Sequence, residues 1–266
     1  MAAADRGSIE TDPGRVRVPI LGTGIDVIAF DEALERLTFW AGHGQSRVVC
    51  VCNAHSVVTA TEDSAFKRAL DSSDLATADG APVAWLMRRL GYSSQRRVSG
   101  PDLMLAYCEK ACGTPQSVFL LGGTSATLAG LQDELLRRFP ELKIAGAYSP
   151  PFRTLTSEED ERLVEMINLS GASTVWVGLG CPKQELWMAA HRGRVHSVMI
   201  GVGAAFEFFG GSRRRAPRWM QASGLEWLHR LVNEPRRLWR RYLVTNTAFI
   251  VGAARQLLGQ SSPSPH

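Results

Sequence analysis

Cysteine is scarce in this chain and poorly placed. Five residues in 266 (50, 52, 108, 112 and 181) include no CxxC pair, and no histidine lies at zinc-finger spacing from them. That speaks against a disulfide framework or a structural zinc site and favours a reducing compartment. Also missing is any uninterrupted run of the roughly 20 apolar residues that a membrane span requires. The N-terminal stretch MAAADRGSIETDPGR carries no apolar segment of the kind a signal peptide needs. A cytoplasmic chain that does not span a membrane is expected. Neither glycine-rich stretch completes a nucleotide fingerprint. Gly178-Leu-Gly180 has Lys183 where a third glycine belongs, Gly201-Val-Gly203-Ala-Ala-Phe206 fails in the same way, and no GK[ST] Walker sequence occurs.

What is present is an ordinary globular composition, 45% apolar and 21% charged, in a chain long enough for one domain or a domain with an appendage. The net charge of +4 is unevenly spread. Nine arginines (213, 214, 215, 218, 230, 236, 237, 240 and 241) face only Glu226 and Glu234 between positions 213 and 241. This local excess is larger than the whole-chain charge, so the remainder is slightly acidic. Such a field suits phosphate, anionic lipid or nucleic acid, although no nucleic-acid module is recognisable and nucleic acid is not the expected partner.

Short, nearly continuous apolar runs at 47–52, 117–122, 143–147, 173–179 and 196–202 read as strands. Amphipathic stretches at 31–41, 54–70, 101–112, 125–138, 157–169 and 183–191 read as helices. The alternation predicts an α/β fold, a Rossmann-like and mostly parallel sheet with helices on both faces. After Gly211 no strand pattern follows. Ser223-Gly-Leu-Glu226 has capping-box spacing for a short helix ending at Pro235, which itself can open another helix to about Leu258. The expected layout is a tail over 1–16, an α/β core over 17–211, a basic helical appendage over 212–258 and a second tail over 259–266. Both tails are small, polar and aperiodic, and disorder is expected there.

Gly178 and Gly180 end a strand run just before a helix, where free backbone N–H groups can hold phosphate; a tight strand-to-helix turn explains the same residues equally well. In the helix that follows, Gln184 can both donate and accept, while Glu185 suits the helix dipole in any case. Cys181, with no histidine tied to it, reads as packing. Ala76-Thr-Ala-Asp79-Gly80-Ala-Pro82 reads as a turn after an apolar helix, or as a general base near the end of a strand. In Arg97-Val-Ser-Gly-Pro-Asp102, composition favours Asp102 as an ordinary helix-start acid. Arg236, Arg237, Arg240 and Arg241 form one charged face beside Trp239 and Tyr242, which suits phosphate or a membrane surface better than a merely solvated helix.

Together these segments resemble a known family. Asn53-Ala-His55, Ala78-Asp79-Gly80, Arg97-Val-Ser-Gly-Pro-Asp102-Leu, Leu121-Gly122-Gly123-Thr124, Gly178-Leu-Gly-Cys-Pro-Lys-Gln-Glu185 and Gly201-Val-Gly-Ala-Ala-Phe206 occur in the order found in WecG/TagA/CpsF glycosyltransferases. Arg215-Ala-Pro217-Arg-Trp219, Gly224-Leu-Glu226-Trp227, Arg230-Leu and Glu234-Pro235-Arg continue the match, which covers roughly residues 18 to 250. The resemblance implies an inverting, metal-independent transfer from a UDP-sugar to a polyprenyl-diphosphate-linked acceptor at the inner membrane face, with no cofactor. It also implies a C-terminal appendage that helps close the site, and self-association. The family's base falls on Asp79 and its amide on Gln184. Asn53, Arg97, Asp102, Gly122, Gly123, Gly178, Gly180 and Glu185 fall on the substrate-binding motifs, and the diphosphate arginines on Arg230, Arg237 and Arg240. Two positions depart from the pattern: Val51 stands where threonine is frequent, and Glu207 where aspartate is more usual. A nucleotide-cofactor oxidoreductase and a non-enzymatic basic binding module are the rival readings; incomplete glycine fingerprints count against the first, and the unexplained Asp79 and Gly178–Glu185 clusters against the second.

Overall fold

The computed structural model describes residues 14–211, 215–217, 219–220 and 224–260, and of Arg237, Arg241 and Gln260 the backbone alone. A hairpin of β1 (Arg17–Ile20) and β2 (Thr23–Asp26) precedes the main sheet. Its two-residue turn has both Leu21 and Gly22 at positive φ, the geometry that matches the twist of a tight hairpin. The main sheet holds β3 (Arg47–Cys52), β4 (Leu75–Ala78), β5 (Ser117–Gly122), β6 (Lys143–Tyr148), β7 (Thr174–Gly178) and β8 (Val198–Gly201). Their spatial order is β4-β3-β8-β7-β5-β6, and every neighbouring pair is parallel.

The apolar runs are nearly continuous because both faces of this sheet are covered. Along β3, Val48, Cys50 and Cys52 enter one core while Val49 and Val51 enter the other. One layer packs α1 (Phe30–Gly42), α5 (Gly100–Ala111), α6 (Ser125–Arg138) and α9 (Ala205–Phe209) around the fully buried Trp176. Its indole N–H donates to Thr174 at 3.1 Å, so the burial leaves no polar group stranded. The opposite layer holds α2 (Ala54–Glu62), α3 (Ser64–Asp71), α4 (Ala81–Arg89), α7 (Ser157–Leu169) and α8 (Lys183–Ala190). α7 opens with a capping box, Thr156 and Glu159 each bonding the other's backbone N–H.

Besides the β1–β2 hairpin and α9, for which the sequence reading offers no element, three elements depart from it. The stretch 54–70 is two helices, because Asp63 turns extended and caps α3 by accepting from the N–H groups of Ala65 and Phe66, both at 2.9 Å. β4 has the sequence Leu-Ala-Thr-Ala, too poor in β-branched residues to announce a strand, yet all four residues are buried beside β3. Consequently Asp79 follows a strand, not an apolar helix. α4 was also unforeseen; it starts with proline in its first turn, where the missing N–H does no harm.

After the core come the helices α10 (Glu226–Asn233) and α11 (Pro235–Gln260). Ser223 of the expected capping box lies outside the described residues, as do positions 1–13 and 261–266 of the expected tails. α11 packs against α2, and its Phe249 and Ala253 join the core on that face. Gln256 accepts from the Leu21 N–H at 3.0 Å and donates to the Pro19 carbonyl, tying α11 to the hairpin turn. The far half of the appendage helix is therefore part of the core rather than a detachable addition.

Candidate active site

Parallel strands send all their C-terminal ends to one edge, so the loops that follow β3, β4, β5, β7 and β8 meet there. These strand ends and loops bring Asn53, Asp79, Gly123, Gly178, Gly180 and Gly203 to the lining, whereas Gly122, the last residue of β5, does not line it. Residues far apart in sequence thus face one cleft of about 1620 Å³. Ligand pockets typically measure roughly 300–1,000 Å³, so this cleft is large for a small-molecule site.

Asp79 sits at the cleft wall directly after β4. Its backbone N–H donates to the Cys52 carbonyl at 2.9 Å, which holds it to the end of β3. The side chain is 20% exposed. One oxygen, Oδ1, accepts two long bonds from Arg97, from Nε at 3.4 Å and Nη2 at 3.3 Å. No described residue donates to the other oxygen. Burial raises the Asp79 carboxyl above its ordinary range; Arg97 opposes this, and Glu226 adds to it. Arg97 itself is held more firmly by Glu226, at 2.7 Å from Nη2. Burial alone would lower this guanidinium, but its two carboxylate neighbours outweigh that and raise it.

Asn53 is the N-cap of α2, and its Oδ1 accepts from His55 and Ser56 N–H at 2.9 and 3.2 Å. Only its amide NH₂ is left to offer a ligand. Gly122 and Gly123, both at positive φ, turn the chain from β5 towards α6. A Cβ on Gly178 would stand 2.7 Å from the Phe206 ring, so glycine is what lets β7 lie against α9. Val51, without a hydroxyl, is 7% exposed and lines the cleft.

Gln184 and Glu185 do not project freely. Gln184 Oε1 accepts from the Gly180 N–H at 3.2 Å and its Nε2 donates to Glu185 Oε1 at 2.8 Å, with both side chains buried. The amide therefore braces the turn after β7, across the cis Cys181–Pro182 bond. Cys181 packs at the margin of the core, as expected.

Glu185 Oε2 is buried with no hydrogen-bond partner, and desolvation raises this carboxyl to about 7 from 4.5, against the hydrogen bond from Gln184. A carboxyl raised by folding stabilises fully below its unfolded value and loses that contribution as pH rises through its folded value. The stability from Glu185 is thus present below about pH 4.5 and lost through about pH 7. The difference is worth about 3 kcal/mol. Between pH 5 and 8 the melting temperature of Glu185→Gln should fall less than that of the parent; parallel curves would show that Glu185 is ionised throughout.

The remaining expected residues separate. Asp102 forms a 2.6 Å ion pair with Arg215 and does not line the cleft. Burial would raise its carboxyl, but the Arg215 bond outweighs this and holds it low. It anchors the appendage's approach to α5. Arg230 does line the cleft, its guanidinium 6.0 Å from the Phe208 ring centre and its Nε buried without a hydrogen-bond partner. Arg240 lies outside the cleft, exposed and 5.1 Å from the Trp239 ring centre. The side chain of Arg237 lies outside the described residues. Among the described residues no three His, Cys, Asp or Glu side chains converge as metal ligands would.

The sequence matches the family described as "Glycosyl transferase WecG/TagA/CpsF family" over residues 18–263. The chain belongs to the WecG/TagA/CpsF glycosyltransferase family. Two relatives, from Staphylococcus aureus strains MW2 and MRSA252, are each 30% identical over 236 residues, spanning 88% of this chain and 91% of theirs. Both are named N-acetylglucosaminyldiphosphoundecaprenol N-acetyl-beta-D-mannosaminyltransferase. The protein is a glycosyltransferase, which sets aside the oxidoreductase and binding-module readings.

In this glycosyltransferase the sequence reading missed how Glu226 is used. It was legible in the Gly-Leu-Glu-Trp segment, but only as a cap; that it reaches Arg97 across 129 positions needed the fold. Trp85 of α4 and the 150–157 loop also line the cleft, and nothing local in their sequence marks them.

Proposed function

We propose that this glycosyltransferase moves a sugar from a UDP-sugar to a polyprenyl-diphosphate-linked sugar by one inverting displacement without a metal ion. The observation that carries this reading is the Asp79–Arg97 pair at the strand edge of the large cleft. The acceptor hydroxyl attacks the anomeric carbon while Asp79 Oδ2, the oxygen without an Arg97 bond, takes its proton. The bond from that carbon to the UDP oxygen breaks on the opposite side, and its electrons leave with UDP. Charge building on the diphosphate falls to arginine, because the sequence offers no DxD pair for a metal. Arg230 is the described arginine best placed for it; Arg237 belongs to the same motif. The names of the S. aureus relatives favour N-acetylmannosamine as the sugar and N-acetylglucosaminyl-diphosphate lipid as acceptor.

The decisive assay supplies UDP-N-acetylmannosamine and a short-chain prenyl-diphosphate-linked N-acetylglucosamine in excess EDTA. Transfer is expected to persist, with inverted anomeric configuration in the product. Loss of one charge-assisted bond is worth about 1.5–3 kcal/mol, so Arg230→Ala should lower kcat/KM by about 10- to 100-fold. A strict requirement for Mg²⁺, or retention of configuration, would overturn the mechanism.

Contact with the membrane fits the near half of α11. Trp239, Leu243 and Val244 are exposed there beside Arg236 and Arg240, while no described helix is long and apolar enough to cross a bilayer. A basic residue near an anionic surface contributes about 1 kcal/mol. Arg236→Ala with Arg240→Ala should therefore weaken sedimentation with phosphatidylglycerol vesicles by about 10- to 30-fold; unchanged sedimentation would place the docking surface elsewhere.

A further inference from the structure

The geometry around Arg97 links the appendage to the core in a way that the reaction itself does not require. Arg97 lies between α4 and α5, and its Nη2 reaches two carboxylates at once. The tighter contact, 2.7 Å, goes to Glu226 in the first turn of α10. The looser contacts, 3.3 and 3.4 Å, both go to a single oxygen of Asp79. An unencumbered arginine and aspartate close to a two-pronged pairing at about 2.7–2.9 Å, one nitrogen to each oxygen. Here that closure has not happened, and Ser99 Oγ, 3.4 Å from the same Nη2, is no charged competitor. Glu226 is the group that draws the cation away.

We propose that Glu226 is a positioning residue for Asp79: by holding the Arg97 guanidinium off the core carboxylate, the docked appendage keeps Asp79 basic and one of its oxygens open to the acceptor hydroxyl. This rests on the reading of Asp79 as the base. Its physical content is competition for one cation. With α10 in place, Asp79 shares Arg97 with a second negative charge and is a stronger base. Without Glu226, Arg97 turns to Asp79, which is then more easily ionised and less able to take a proton.

Other charged groups bear less closely on Asp79. Asp102 of α5 adds a smaller repulsion and is itself neutralised by Arg215. His55 of α2, Glu207 of α9 and Arg230 of α10 line the same cleft, and none makes a hydrogen bond or ion pair to Asp79.

The test compares parent, Glu226→Gln and Glu226→Asp. In kcat/KM against pH, with UDP-N-acetylmannosamine and the prenyl-diphosphate acceptor, the acid limb reports the base of the free enzyme. Glu226→Gln should move this limb down by about 1 unit and lower the plateau several-fold, and Glu226→Asp should restore much of both. A ¹³C-carboxyl titration of the full-length protein, with the Asp79 signal assigned by its loss in Asp79→Asn, reads the same shift without turnover. If Glu226→Gln merely loosens α10 and abolishes transfer, that titration still decides. An Asp79 midpoint identical in parent and Glu226→Gln overturns the inference. Near-parent turnover in Asp79→Asn would instead overturn the base reading, whatever Glu226 does to the titration.

Discussion

Asp79→Asn should lower turnover by about 10²- to 10⁴-fold, the usual contribution of a positioned general base, with little change in folding or donor affinity. Asparagine matches aspartate in shape and can still accept from Arg97, so the loop after β4 keeps its place. The backbone bond from residue 79 to Cys52 is untouched. Arg97 keeps its stronger partner, Glu226, and no buried cation is left unpaired. The variant also removes a carboxylate whose ionised form burial disfavours, so the melting temperature should not drop. What the amide cannot do is take a proton from the acceptor hydroxyl. Steady-state transfer should therefore collapse while thermal shift by UDP-N-acetylmannosamine stays at the parent value. Parent-like turnover would dispose of the role assigned to Asp79, and a joint loss of transfer and donor binding would recast it as a substrate ligand.

Gly122→Ala should cause the largest loss of stability among single-methyl changes at the site. Gly122 pairs with Gly178 across the β5–β7 ladder, and a Cβ there would lie 2.6 Å from the Gly178 carbonyl carbon. No side chain can step aside, because the obstacle is backbone. Its φ of +120° adds a conformational cost that alanine cannot avoid. Together these should destabilise by about 3–5 kcal/mol, or roughly 10 °C in melting temperature for a chain of this size. Gly180→Ala is the matched control: its φ is +81°, but a Cβ there meets nothing within 4 Å, so only the backbone term of about 1 kcal/mol remains. Equal losses in the two variants would show that close strand approach does not limit Gly122.

The fold class was legible because a sheet covered on both faces needs nearly continuous apolar strands, and β3, β5, β7 and β8 meet that condition. β4 escaped because alanine and threonine between buried neighbours obey packing rather than intrinsic preference. The single helix expected over 54–70 failed at Asp63, whose carboxylate can either face solvent within a helix or cap a new one; only the packing of α3 on β2 and α8 selects the cap. For the site, ordered motifs located Asp79, Arg97 and the glycine turns. They did not reveal that Gln184 and Glu185 bond each other inside the turn, or that Asp102 serves Arg215.

Local pattern and composition suffice for the parallel α/β core, for the chemical types at the ends of β3, β5, β7 and β8, and for the concentration of arginine after residue 211. Which of those groups meet depends on packing between segments distant in sequence. Five loops converge because parallel strands end together, α11 packs on α2 and gives Phe249 and Ala253 to the core, and Arg97 stands between Asp79 and Glu226 because α10 brings a second carboxylate to one cation.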